Sequence, residues 1–225
     1  YSFALLAYAS SWLKRHEPAC FLAALLNSQP MGFYAPAQLV QDARRHGVRV
    51  LPIDVTVSGW DCALEAPLEP IRGVQAVQPA VRLGLRLVAG LGPAAAERLV
   101  RARRGSPLAS TEDLALRARL HRQDLQALAA ADALRALSGH RRQQLWDAAA
   151  QLRAPVLLQD VPLHEETLRL PAAPEGEEIL LDYAATGLTL RRHPLALLRA
   201  RLQRWRIATA LQLRDMPQGR RVRAC

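Results

Sequence analysis

Leu87-Val88-Ala89-Gly90-Leu91-Gly92-Pro93-Ala94-Ala95-Ala96-Glu97-Arg98-Leu99-Val100 occupies residues 87–100 and reads as two apolar arms joined by Gly-Leu-Gly. Pro93 stands where a helix starts, and Ala94, Ala95 and Ala96 give that helix a face on which a neighbour can pack closely. This is the helix-hairpin-helix pattern. Its glycines let the backbone turn tightly and approach a phosphate with no Cβ in the way. The unpaired N–H groups at the helix start, together with its positive dipole end, suit an anion. Contacts of this kind read the nucleic-acid backbone and ignore the bases. The candidate DNA-binding residues are Gly90, Leu91, Gly92, Ala94, Arg98, Arg101, Arg103 and Arg104. An ordinary β-to-α turn has the same local form, and Ala94 stands where many such hairpins carry Lys or Arg. A degenerate second copy spans Leu120 to Leu134, with Ala131-Asp132-Ala133 in place of the glycine turn. Asp132 would repel phosphate, so this copy is expected to pack against the first and bind nothing.

Working outward, residues 1–47 read as three helices. Phe3, Leu5, Leu6, Tyr8, Trp12 and Leu13 form an apolar stripe that ends in Lys14, Arg15 and His16. Pro18 opens the second helix, and Pro36 with Gly47 brackets the third. Strand-like runs follow over Val48–Val57, Trp60–Leu64 and Val81–Val88, with Pro52 arguing for an edge position. Ser110 and Asp113 make a helix start. Residues 153–178 concentrate prolines and acids and read as a surface linker, and Leu180–Leu190 as a short strand. A basic helix begins at Pro194, capped by His193, and Arg220–Cys225 reads as a strand. The fold class is mainly α with a small β-sheet. The expected domains are a helical unit with a small sheet (1–88), a tandem helix-hairpin-helix unit (89–152), an acidic linker (153–190) and a basic helix with a strand (191–225).

The 225 residues carry 30 basic and 20 acidic side chains, a formal net charge of +10, and Lys14 is the only lysine. Charge is uneven along the chain. Residues 1–81 balance, 82–142 carry 12 basic against 5 acidic, 160–190 carry 1 against 7, and 191–225 carry 10 against 1. Two basic blocks flanking an acidic one suggest a polyanion partner. Arginine richness alone follows equally from a GC-rich genome. The acids of 160–190 read as solvated. No apolar run approaches the ~20 residues of a membrane span. Cys20, Cys62 and Cys225 lack metal-ligand spacing and fit a reducing, cytoplasmic compartment. No P-loop, paired-metal carboxylate motif or nucleophile triad is present, so no catalytic residue and no cofactor is expected within the chain. Tyr1 opens on apolar residues without a start Met, and the chain reads as though cut from something longer at both ends.

Several stretches together resemble one family. Ser2–Tyr8 with Trp12–Pro18, Leu25-Leu26-Asn27-Ser28-Gln29-Pro30-Met31-Gly32-Phe33-Tyr34, Gln41–Val48 and Leu51–Val55 are similar, in order, to bacterial C-family replicative polymerase α subunits. Gln-Pro-Met-Gly-Phe-Tyr is characteristic of the error-prone, damage-induced branch. Asp182–Leu190 with His193-Pro194-Leu195 also matches, in a position that precedes an OB-fold in that family. The resemblance implies the end of a fingers domain, a hairpin domain gripping template–primer duplex, and an approach to an OB-fold. It implies catalytic acids, and the magnesium they use, outside this chain. It also implies an inactive Y-family-like accessory protein as the route to the sliding clamp. Residues 150–165 hold no clamp peptide of the Gln-x-x-x-Phe kind, which replicative relatives carry after the hairpin domain, and Gln143-Gln144-Leu145-Trp146, the nearest thing, reads as buried helix. The rival reading is a protein-docking module whose partner binds 191–225. An independent repair enzyme lacks candidate residues.

Overall fold

The computed structural model describes residues 1–66, 78–150 and 168–225. The N-terminal helices α1 (Ser2–His16), α2 (Pro18–Asn27) and α3 (Pro36–Arg45) lie where the prolines and the apolar spacing place them. Helices α2 and α3 bury Leu22, Leu26 and Val40. By contrast, α1 buries nothing, and Phe3, Leu6 and Tyr8 face solvent.

The sheet is smaller than the sequence suggests. Strands β1 (Val50–Leu51), β2 (Ala63–Glu65) and β3 (Ala80–Arg82) run in the order β1-β3-β2, with β1 parallel and β2 antiparallel to β3. β1 is thus an edge strand, and Pro52, which has no N–H to give a ladder, follows directly after it. Arg82 grips Glu65 with two hydrogen bonds of 2.7 and 3.1 Å, which holds the Glu65 carboxyl below its usual pKa. The expected strand over Val81–Val88 stops at Arg82 and gives way to a 3-10 turn at Leu85–Leu87. Gly84 explains the break. A Cβ there would lie 2.4–2.6 Å from backbone atoms of Trp60, Asp61 and Cys62, so only glycine lets the two segments come this close.

Helices α4 (Pro93–Gly105), α5 (Thr111–Arg117), α6 (Arg122–Ala130), α7 (Arg135–Ser138) and α8 (Arg141–Ala150) form the hairpin region. Leu99, Leu114, Leu125, Leu128 and Leu134 make its core, continuous with Val55, Val81 and Leu85 of the sheet region. Ser110 caps α5 by accepting the Asp113 N–H, as its spacing predicts.

Several expectations fail beyond residue 150. Of the 153–190 linker, residues 153–167 lie outside the described residues, but Glu175–Thr186 is a helix, α9, and no strand forms over 180–190. α9 ends at Gly187, whose φ of +71° is the left-handed conformation a glycine stop provides. The acids on α9 are not all solvated either. Arg141, 1% exposed, donates to the Glu178 carbonyl at 2.9 Å, lies 3.1 Å from the Glu178 carboxylate and also binds Asp182. Arg191 joins Glu178 at 2.8 Å and Asp132 at 3.1 Å, and Arg135 reaches Asp132 from the surface. Three arginines therefore meet three carboxylates. The last segment holds α10 (Pro194–Arg204), capped by His193, and α11 (Ala210–Arg214). The strand expected over 220–225 amounts to a single bridge, Ala208 to Ala224.

Removing one partner of a buried ion pair leaves the other charge uncompensated, at about 3–5 kcal/mol. Arg141→Met should therefore lower unfolding stability by about that much. Glu178→Gln, which keeps an acceptor, should cost less. Equal urea midpoints for Arg141→Met and wild type would contradict this account.

Candidate nucleic-acid interface

The first arm of the hairpin is the 3-10 turn at Leu85–Leu87, tied to the sheet region by Leu85 N–H to Gly59 O (2.8 Å) and Arg86 N–H to Trp60 O (3.0 Å). The chain then turns through Gly90, whose φ of +83° a residue with a Cβ adopts only under strain. Leu91 points inward and is 6% exposed, so it anchors the turn in the core and is not itself a contact surface. Gly92 is the N-cap of α4 and Pro93 its first residue.

At this turn the backbone is unpaired. Ala95 and Ala96 donate to Gly92 O at 3.1 and 3.2 Å, but the N–H groups of Gly90, Gly92 and Ala94 have no hydrogen-bond partner among the described residues. Pro93 has no N–H to offer. Gly90, Gly92, Pro93 and Ala94 are all exposed, and a Cβ at either glycine would meet nothing within 4 Å. The turn therefore presents an open, side-chain-free surface with free donors at a helix start. Just before it, Ala89 N–H donates to Ala185 O on α9 at 2.8 Å. The helix that sequence reading took for linker thus holds the hairpin in place.

The four candidate arginines divide. Arg101 and Arg104 are exposed and make no hydrogen bond or ion pair among the described residues. Arg103 is not available to a phosphate. Its guanidinium donates to the carbonyls of Val55 (2.9 Å), Ser58 (2.7 Å) and Val57 (2.8 Å), and burial lowers its pKa against the opposing charge of Asp54. Arg98 donates to Ala118 O at 3.0 Å and lies 3.6 Å from Asp124. Both were expected at the interface, and both tie α4 to the rest of the chain. Nothing in the one-dimensional spacing distinguishes them from Arg101 and Arg104 beyond the helical period, which puts Leu99 and Arg103 near one face.

In the second copy Asp132 takes the left-handed conformation, φ +57°, that glycine would have supplied. Its carboxylate faces the interior and accepts from Gln144 (2.6 Å), Arg135 and Arg191. Gln144 is fully buried, whereas its neighbour Trp146 is half exposed. Among the described residues no group of three or more His, Cys, Asp or Glu could hold a metal, and the one acidic cluster is filled by arginines. The described residues thus offer no place for magnesium, which the resemblance puts outside this chain. No helix among the described residues is long and apolar enough to cross a membrane.

Residues 47–144 match the helix-hairpin-helix motif family. The whole chain is 57% identical over 225 residues to the error-prone DNA polymerase of Burkholderia pseudomallei (strain K96243), covering 21% of that protein. It is 60% identical over 225 residues to that of Bordetella parapertussis (strain 12822 / ATCC BAA-587 / NCTC 13253), again 21% of its length. Against that of Azoarcus sp. (strain BH72) it is 58% identical over 223 residues, 99% of this chain and 21% of the relative. The chain spans about a fifth of the length of the curated relatives it matches.

The two classes of arginine are separable. Arg103→Ala removes three hydrogen bonds, two of them to the carbonyls of buried Val55 and Ser58, and at about 1–3 kcal/mol for an unsatisfied buried group it should lower the urea midpoint clearly. Arg104→Ala should leave the unfolding free energy within about 0.5 kcal/mol of wild type, and so the midpoint nearly unchanged. Identical midpoints for the two variants would sink the distinction.

Proposed function

We propose that this chain, related over its whole length to about a fifth of an error-prone DNA polymerase, is the part of such a polymerase that holds template–primer duplex by its phosphate backbone. The observation that carries this reading is the Gly90–Ala94 turn, with three unpaired N–H groups on an exposed surface and no side chain in front of them. A phosphate oxygen is the acceptor such a cluster lacks, and Arg101 and Arg104 on the same helix add charge without geometric demands. Binding is then indifferent to base sequence, because nothing at the turn can reach into a groove. The site comprises Gly90, Gly92 and Ala94 through their backbone and Arg101 and Arg104 through their side chains; Leu91 positions the turn.

Nucleotide transfer belongs to carboxylates outside this chain, and we assign the chain none. The parent polymerase works in the bacterial cytoplasm with magnesium. It reaches its sliding clamp through an inactive Y-family-like accessory protein, a reading supported by the resemblance. We place residues 1–88, 89–152, 153–190 and 191–225 as successive units of this part, with α9 belonging structurally to the hairpin unit.

A salt series decides the matter. Affinity for a short primed duplex should fall linearly in log–log form, with a slope of about 0.9 per phosphate neutralised. Arg101→Ala with Arg104→Ala should flatten the slope by about 1–2 at unchanged stability. Gly92→Val, at a site with room for a Cβ and no left-handed backbone, should weaken binding while the fold persists. Binding that ignores all three changes would leave the docking module ahead. A clean preparation of the chain should add no nucleotide to a primer, and any metal-dependent extension would refute the assignment of the chemistry elsewhere.

A further inference from the structure

Away from the hairpin, α3, α9 and the loop before α10 enclose a surface cavity of about 350 Å³. Its lining includes Gln41, Arg44, Arg45, Tyr183, Arg191 and His193, and no carboxylate lines it. We infer that this cavity is a phosphate-binding site, distinct from the Gly90–Ala94 turn and independent of it. An accounting of donors carries the inference.

Arg45 makes no hydrogen bond or ion pair among the described residues, and neither the Tyr183 hydroxyl nor the Gln41 amide has a partner there. Arg44 uses one N–H, from Nη1 to Leu190 O at 2.9 Å, and its remaining donors are free. Arg191 is held by Nη2 to Glu178 and Asp132, with Nε 3.3 Å from Asp182, which leaves Nη1 without a partner. His193 accepts the Leu195 N–H on Nδ1, which puts the ring proton on Nε2 as a donor. Each of these groups can donate, and the carboxylates nearest the cavity are already engaged in ion pairs.

The ordinary explanation for Arg44 and Arg45 is that cations suit the C-terminal end of a helix. At α3 that role is filled. The carbonyls of Asp42, Ala43 and Arg44 already accept N–H groups from His46, Gly47 and Val48. Asp42, the acid nearest them on α3, is turned to Lys14 at 2.8 Å. Glu178, Asp182 and Asp132 are engaged by Arg141, Arg135 and the Nη2 side of Arg191. Two arginine forks, a third half-free one and an imidazole N–H around a space at the small end of ligand pockets (about 300–1,000 Å³) suit a tetrahedral dianion or a phosphodiester.

Two sources supply that chemistry, a DNA backbone and free phosphate, and the test separates them. Unfolding of the full 225-residue chain is followed by heat in inorganic phosphate and in chloride at matched ionic strength. At about ten times the Kd, phosphate should raise Tm saturably by about 3–6 °C. Arg45→Ala, which breaks no bond in the structure, should shift the midpoint of that titration about tenfold upward, and Arg45→Lys should recover part of it. A phosphate effect equal in wild type and Arg45→Ala is general salting and overturns the proposal. In the second arm the same proteins bind a blunt duplex without terminal phosphates. Weaker binding by Arg45→Ala, with inorganic phosphate competing, supports a backbone phosphodiester; unchanged duplex binding beside a lost phosphate response supports free phosphate. No difference between the proteins in either arm overturns the site.

Discussion

The charge cluster around Arg141 is the constraint on which the hairpin's geometry depends. A guanidinium this deeply buried needs carboxylates around it, and α9 brings Glu178 and Asp182 to it. Thr189 donates to the second Asp182 oxygen, and Arg191 carries the network on to Asp132 and so to the turn that follows α6. The arrangement is not fully satisfied. Nε of Arg141 and of Arg191 is buried without a hydrogen bond, so the cluster contributes specificity of placement more securely than net stability.

From that cluster the constraint reaches the candidate interface in one step. α9 is fixed by Glu178 and Asp182 near its middle, and its Ala185 carbonyl takes the Ala89 N–H, one residue before Gly90. On the other side, Arg103 clamps the carbonyls of residues 55, 57 and 58, which joins α4 to the sheet region. The turn is thereby held from both arms while its own three N–H groups stay unpaired. A site that must wait for an acceptor needs its surroundings to do the holding.

Much of this was legible in the sequence. Gly-Leu-Gly-Pro identified the turn and the start of α4; Pro18, Pro36 and Ser110 marked helix starts; Pro52 marked an edge strand. These signals are local, each being a backbone requirement that one residue type meets. The failures share a different cause. Counting charge along 160–190 makes Glu178 and Asp182 look solvated, because their partners are 37 and 41 residues away in sequence. A signal was available: the two acids sit at i and i+4 on one helical face, beside Ile179 and ahead of the stop at Gly187. The linker reading gave the prolines more weight than that period.

Arg98 and Arg103 illustrate the limit from the other direction. A run of four arginines on one helix looks like one electrostatic feature, yet a helix has two sides. The side that carries Leu99 into the core takes Arg103 with it toward the 55–58 carbonyls. Only Arg101 and Arg104 stay in solvent, so the helix offers half the charge its sequence advertises. On the proposed reading, few cations and a backbone-only cradle give this turn little to hold a duplex tightly and nothing to tell one sequence from another. A grip of the proposed kind would constrain the duplex laterally while leaving it free to slide along its axis, because every phosphate step presents the turn with the same acceptor.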